Sequence, residues 1–344
     1  MVKGTPAAAG KPHDRAGKLP EGAGKLLPYF RDSARARGPA FWVGLAVLAL
    51  AVTLSVVTDS FATRDNLFNV TRNFAFIGLM SLGQVLVIVA GGIDLSVGSV
   101  MGLSGIVAAL VLEAGYPLSW GAAAGIGTAL TCGVVNGALI AYLRLSPFVV
   151  TLGMLSIGRS LALVVSRNRM VHELGPGEAR LVALGGGETL GVANPVWILA
   201  VLATLLAAGL RFTAWGRHLY AVGGNEAAAR ANGIRVERVK LGAYVASAGA
   251  AGVAAVLTIG WLGAVTNALG QGYELRVIAA SVMGGANLAG GEGGAFGAVI
   301  GAALLEVIRN GLLLAGVDPW WQGTFVGAFI ILAVLVEKLR GRRQ

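Results

Sequence analysis

The chain has 344 residues, of which 56% are hydrophobic and only 13% charged, and its mean hydropathy is +0.74. Soluble domains carry about 25% charge, so the composition excludes a soluble globular protein and indicates a polytopic membrane protein. The formal net charge of +10 is concentrated in residues 1–40, 215–240 and 338–343. That is the distribution of basic residues beside membrane spans, not of a nucleic-acid-binding surface.

Residues 1–40 are rich in Gly, Pro, Ala and basic residues and show no apolar period. They are expected to form a disordered cytoplasmic tail. Apolar runs long enough to cross a bilayer, about 20 residues each, then follow in order. They are 41–57, 74–89, 95–112, 119–143, 148–165, 196–210, 241–261, a short weak segment at 274–283, then 295–314 and 320–336. The expected fold is all-α and polytopic, with about ten transmembrane helices in a permease domain over 41–337. A basic cytoplasmic tail, 338–344, closes the chain. The 53 glycines fit helices that pack by close backbone approach. Cys132 has no cysteine to pair with and reads as a small core residue.

With the N-terminus inside, the dense basic clusters all fall on one side, and both termini are expected to be cytoplasmic. The long polar loop 166–194 then falls outside. Its Arg167, Arg169 and Arg180 are matched in number by Glu173, Glu178 and Glu188.

Several motifs carry alternatives. GGIDLSVG at 91–98 places Asp94 between two apolar runs. Asp94 reads either as a cap of the following helix or as part of a broken helix lining a translocation path. GGANLAGG at 284–291 echoes that octapeptide, either as the trace of a duplicated helical unit or by chance in a Gly-rich chain. Extending the echo through Asn136-Gly137 and Asn310-Gly311 fails on spacing. Glu274 is a first-turn glutamate or a substrate contact. Glu306 and Arg309 have ion-pair spacing. Trp42, Trp261, Trp320 and Trp321 lie near span ends, as interface belts do, with sugar stacking the alternative.

The longest polar interruption with dense positive charge, 215–240, holds a short helix-forming core. Asn225 can cap it, Glu226 opens it, and Gly224 and Gly233 frame it. Its alanines make a poor lipid anchor, since no Trp, Phe or Leu lines one face. A smooth helix of this kind suits the groove of a protein partner. The chain has no phosphate-binding GxxxxGK[ST] motif, no metal-ligand spacing among His13, His172 and His218, and no nucleophile elbow. No catalytic or metal-binding role is expected.

The motifs GGIDLSVGS at 91–99, GRHLYAVGGNEAAARANGI at 216–234 and GYELRVIAASVMGGANLAGGEG at 272–293, in this order, resemble the permease subunits of bacterial ABC importers for ribose, xylose and related monosaccharides. The resemblance implies a homodimer in the bacterial inner membrane. It also implies a cytoplasmic ATPase subunit that binds ATP and Mg, an extracytoplasmic sugar-binding protein, and no cofactor in this chain. It implies ATPase docking on Gly224, Asn225, Glu226, Ala229, Arg230 and Gly233. Asp94, Ser96, Glu274 and Asn287 are the candidate lining of the translocation path. Arg276 stands where the family often carries an acidic residue, and the N-terminal tail is longer than the family's. The competing expectation is an ion- or proton-coupled transporter, for which Asp94, Glu274 and Glu306 are the carboxylates in hand.

Overall fold

The computed structural model describes residues 38–321, 323–325, 327–328 and 331. Residues 1–37 of the expected N-terminal tail, the tail at 338–344 and most of the expected span at 320–336 therefore lie outside the described residues, while Pro39 and Ala40 already belong to the first helix.

The apolar runs fold as helices, named here α1 (Pro39–Val57), α2 (Arg64–Val89), α3 (Val97–Glu113), α4 (Leu118–Ala141) and α5 (Pro147–Ser166). After the polar stretch come α7 (Asn194–Phe212), α10 (Val236–Leu262), α11 (Tyr273–Met283) and α12 (Ala295–Leu314). Among the described residues, seven helices are long and apolar enough to cross a membrane. The two exceptions among the expected spans are α3 and α11. At about 1.5 Å per residue, α11 is only some 16 Å long, about half a bilayer core. The eighth span is therefore a half-length helix rather than a weak full one. In the other direction, α2 begins at Arg64, capped by Thr63, so the polar loop expected at 58–69 shrinks to a turn.

The loop 166–194 is also more ordered than its composition indicates. It contains α6 (Glu178–Gly185) and a two-stranded antiparallel hairpin, β1 (Glu188–Thr189) with β2 (Val192–Ala193). Gly185 lies so close to α10 that a Cβ there would sit 2.0 Å from the Leu257 carbonyl oxygen. Its charges pair with other elements rather than with one another. Arg169 grips Glu113 with two bonds of 2.6 and 2.5 Å, and Arg64 reaches Glu188 at 3.2 Å.

Two helices form the centre. Every residue from Ala75 to Ala90 in and after α2 is buried, and α10 packs against α2, α3 and α4. Small residues set these contacts. A Cβ on Gly83 would fall 2.6 Å from the Ser247 Cα, and one on Gly133 would fall 2.7 Å from the Ala248 Cβ. Without a hydrophobic drive between helices in lipid, such close van der Waals contact holds the bundle together. Cys132 is buried in this core, as expected. α1 stands outside against α12, and carries exposed Leu48, Val52 and Val56. The Trp residues divide. Trp42, Trp320 and Trp321 are exposed, whereas Trp261 stacks on Phe76 at 5.6 Å and receives the Arg72 guanidinium at 4.6 Å.

Candidate functional site

The polar segment after α7 folds into α8 (Ala214–Gly224) and α9 (Glu226–Ala231). α9 is the short helix read from the sequence. Asn225 caps it by accepting the Ala228 N–H at 2.9 Å, and Gly233 ends it with φ +78°. The helix is stapled to the start of α10 by charge. Glu226 accepts from Lys240 at 2.6 Å and from Arg230 at 3.3 Å, and Arg230 reaches Glu237 at 2.5 Å. The Lys240 hydrogen bond, reinforced by Arg230, holds the Glu226 carboxyl below the usual carboxylate range. The Glu237 hydrogen bond raises Arg230. Ala229 turns inward and is buried, so the surface α9 presents consists of Glu226, Ala227, Ala228, Arg230 and Ala231. An open depression of about 570 Å³ lies between this surface and Arg144.

Beneath α9 three glycine segments meet. A Cβ on Gly223 would sit 1.7 Å from the Val89 carbonyl oxygen and 2.6 Å from the Gly291 nitrogen. A Cβ on Gly290 would sit 2.7 Å from the Gly223 carbonyl oxygen and 3.0 Å from the Gly91 Cα. The Gly291 N–H donates to Val89 at 2.9 Å, and Tyr220 donates to the Gly293 carbonyl at 2.7 Å. The two echoing octapeptides therefore touch each other, with the end of α8 wedged between them. Sequence reading found both octapeptides but not Gly223 or Tyr220, whose partners lie far away in the chain.

From this junction residues 91–96 rise into the bundle before α3 begins. Asp94 is 1% exposed and Ser96 0%. Asp94 Oδ1 accepts the Ser96 N–H at 2.9 Å and the Ser96 hydroxyl at 2.6 Å, while Oδ2 accepts Ser247 at 3.1 Å. Asn136 donates to Ser96 at 2.9 Å. Gln84, with its amide oriented to satisfy both groups, makes two 3.2 Å bonds to the Asp94 backbone. Asp94 thus joins α2, α3, α4 and α10 from the break between α2 and α3. Its bond to the Ser96 N–H is a local turn two residues long, ahead of α3, whose N-cap position is Ser96 and carries no side-chain cap bond; it lies at the centre of the bundle rather than at a surface turn.

The other candidate path residues lie elsewhere. Asn287 orders the turn after α11, accepting the Ala289 N–H at 2.8 Å and donating its own N–H to Glu292 at 3.1 Å. Glu274 sits at the opposite end of α11, in its first turn. The four residues do not gather into one site. Glu306 is buried and forms the expected pair with Arg309. Asn310 exchanges two amide bonds with Asn66, at 3.1 and 2.8 Å. Among the described residues, no cluster of His, Cys, Asp and Glu could hold a metal ion.

Comparison with known proteins agrees with this architecture. Residues 66–334 match the family described as branched-chain amino acid transport system / permease component. A probable ABC transporter permease protein, y4mJ, of Sinorhizobium fredii is 38% identical over 87% of this chain and 89% of its own length. The ribose import permease protein RbsC of Escherichia coli K12 is 38% identical over 85% and 92%. The fructose import permease protein FrcC of Rhizobium meliloti is 32% identical over 91% and 88%. No solved structure matches the chain. With its family match spanning most of its length and relatives 38% identical over most of both chains, the chain belongs to this permease family, alongside the ribose-type ABC import permeases.

Proposed function

We propose that this chain is the membrane permease of an importer that moves a monosaccharide or related polyol inward by alternating access. Energy comes from ATP hydrolysed in a separate cytoplasmic subunit, which also binds the Mg. In this reading two copies of the chain form the permease in the bacterial inner membrane. Both termini and α9 face the cytoplasm, and a sugar-binding protein docks on the opposite side. The chain itself performs no covalent chemistry.

One observation carries the reading. α9 is a short, charge-stapled helix that stands directly on the junction of Gly91, Gly223 and Gly290–Gly291. A partner that moves α9 moves the ends of α2 and α11 together, because α8 has no slack at Gly223. Ion coupling receives less support, since two of its three candidate carboxylates, Asp94 and Glu306, are each 1% exposed with protein partners of their own, which leaves Glu274 alone for it. The substrate class rests on relatives named for ribose and fructose import.

The test is uptake of labelled ribose and fructose into vesicles that hold the permease, its ATPase subunit and its binding protein. Uptake is expected with ATP present and ion gradients collapsed. Uptake driven by an ion gradient without any ATPase subunit would overturn the proposal.

A further inference from the structure

α3 and α11 both begin inside the bundle. Ser247, the partner of Asp94, lies about three turns into α10, so the start of α3 at Val97 is well away from either end. From the far end of α10, residues 263–272 return inward. They are tied at the top by the Val171–Val265 bridge and packed at the bottom, where a Cβ on Gly98 would lie 2.3 Å from the Gly270 carbonyl oxygen. The first turns of α3 and of the half-length α11 thus meet inside the bundle.

Two charged side chains lie over the same glycine face of α3. The Glu274 Oε2 comes within 2.3 Å of where a Gly98 Cβ would be, and Arg159 Nη1 within 3.3 Å of a Gly102 Cβ. Gly98 and Gly102 are one helical turn apart. Arg159 Nη1 donates to the carbonyls of Asn267 and Leu269, both at 2.9 Å. Its Nε and Nη2 make no hydrogen bond among the described residues. Glu274 Oε2 is buried with no partner, and no ion pair joins the two. A guanidinium and a carboxylate in membrane-spanning protein normally satisfy each other; here each keeps unused capacity.

The surface beside them is polar as well. Ser156, three residues before Arg159, and Ser160, the residue after it, are exposed on α5, and Gln271 is exposed two residues from Leu269. A Cβ on Gly153 would meet nothing within 4 Å. Ionisable side chains such as Arg159 and Glu274 within a spanning bundle face its interior or a water-filled cavity rather than lipid.

We propose that Arg159, Glu274, Ser156, Ser160 and Gln271 form the wall of the translocation path at mid-membrane, completed by the same residues of a second copy. Its ligand class is a small neutral polyol. Each hydroxyl both donates and accepts, so neighbouring hydroxyls can accept from Arg159 and donate to Glu274 at once. This rests on the importer reading above. Asp94, Ser96 and Asn287 are not in this wall, and Glu274 is the single earlier candidate that is.

The experiment uses the complete importer in vesicles, in a Cys132→Ala background. Ser156→Cys and Gln271→Cys are treated with a charged methanethiosulfonate and compared with Val52→Cys on the outer face of α1, which is 56% exposed. The path residues are expected to react about tenfold faster than the lipid-facing control, because only they meet water. Glu274→Gln is expected to lower labelled-sugar uptake by about tenfold, the loss of one hydrogen bond to a charged group. ATP hydrolysis stimulated by the binding protein should be retained. Wild-type uptake with unreactive cysteines and a fully active Glu274→Gln variant would overturn the path assignment alone. Reactive cysteines in a wild-type importer that takes up no labelled polyol would overturn the ligand class and the importer reading together.

Discussion

Gly223 meets Val89 so closely that a Cβ on it would stand 1.7 Å from the Val89 carbonyl oxygen, which already accepts the Gly291 N–H at 2.9 Å. α8, the end of α2 and the turn after α11 thus share one contact point, two residues before Asn225 caps α9. The joint is stiff because it is made of backbone against backbone, with no side chain to yield. Movement at α9 is passed on to the two broken segments instead of being absorbed between them.

Gly223→Ala should therefore lower thermal stability, by at least the 1–3 kcal/mol or so of an overpacked core site. It should also uncouple ATP hydrolysis from uptake in whatever fraction remains folded. Gly209→Ala, near the end of α7, is the control, since a Cβ there meets nothing within 4 Å. Thermal unfolding in detergent and coupled uptake separate the two. Equal behaviour of the two variants would remove Gly223 from the transmission route.

At Asp94 the expected difference is between amide and methyl. In Asp94→Asn the Oδ1 still accepts both Ser96 bonds, and the new Nδ2 can donate to the Ser247 hydroxyl, which turns to its own i−4 carbonyl. Asp94→Ala instead takes the acceptor from both the N–H and the hydroxyl of Ser96, which is 0% exposed, at about 1–3 kcal/mol per unsatisfied group. Thermal unfolding should show a small loss for Asn and a large one for Ala. Similar losses would mean that charge, not hydrogen bonding, holds this centre.

How much of this was legible in the sequence depended on whether the cause was local. The long spans follow from apolar length, and α9 follows from Asn225, Glu226 and Gly233 within a few residues of one another. The half-length α11 was visible as a short apolar run, but its meaning lay in Gly270 meeting Gly98, which no local pattern encodes. Asp94 was legible as an anomaly, while its partners Ser247 and Gln84 were ordinary residues on distant helices. Arg159 carried no sequence signal beyond being a charge inside a span. The pairing of Arg64 with Glu188 and of Arg169 with Glu113 had no sequence signal, because each joins the loop to a residue far away in the chain.

The α9 staple should respond to acid. Glu226 is held below its ordinary range mainly by the Lys240 hydrogen bond. Its contribution is therefore full above the unfolded carboxyl value, about 4.3, and is lost as pH falls through the lower folded value. Amide exchange protection at Ala229 and Ala231, corrected for intrinsic rates, should hold from neutral pH to about 5 and then fall by about threefold, the size expected of an exposed pair. Glu226→Gln should lower protection at neutral pH and remove the acid step. A step of unchanged size in that variant would place its origin elsewhere.

Gly98→Ala tests the meeting of α3 and α11. Its Cβ would lie 2.3 Å from two atoms, the Gly270 carbonyl oxygen and the Glu274 Oε2. The carboxylate can swing away but the carbonyl cannot, so the variant should be strongly destabilised, whereas Gly127→Ala on α4 has open space and should not. Adding Glu274→Ala to Gly98→Ala relieves one of the two clashes. The double variant should then be more stable than the sum of the single effects predicts, by about 0.5–3 kcal/mol, the range for residues in contact. Thermal unfolding of the four proteins in the cycle measures the coupling. Strict additivity would show that the carboxylate yields to the new methyl without cost, so that the Gly270 carbonyl alone resists it.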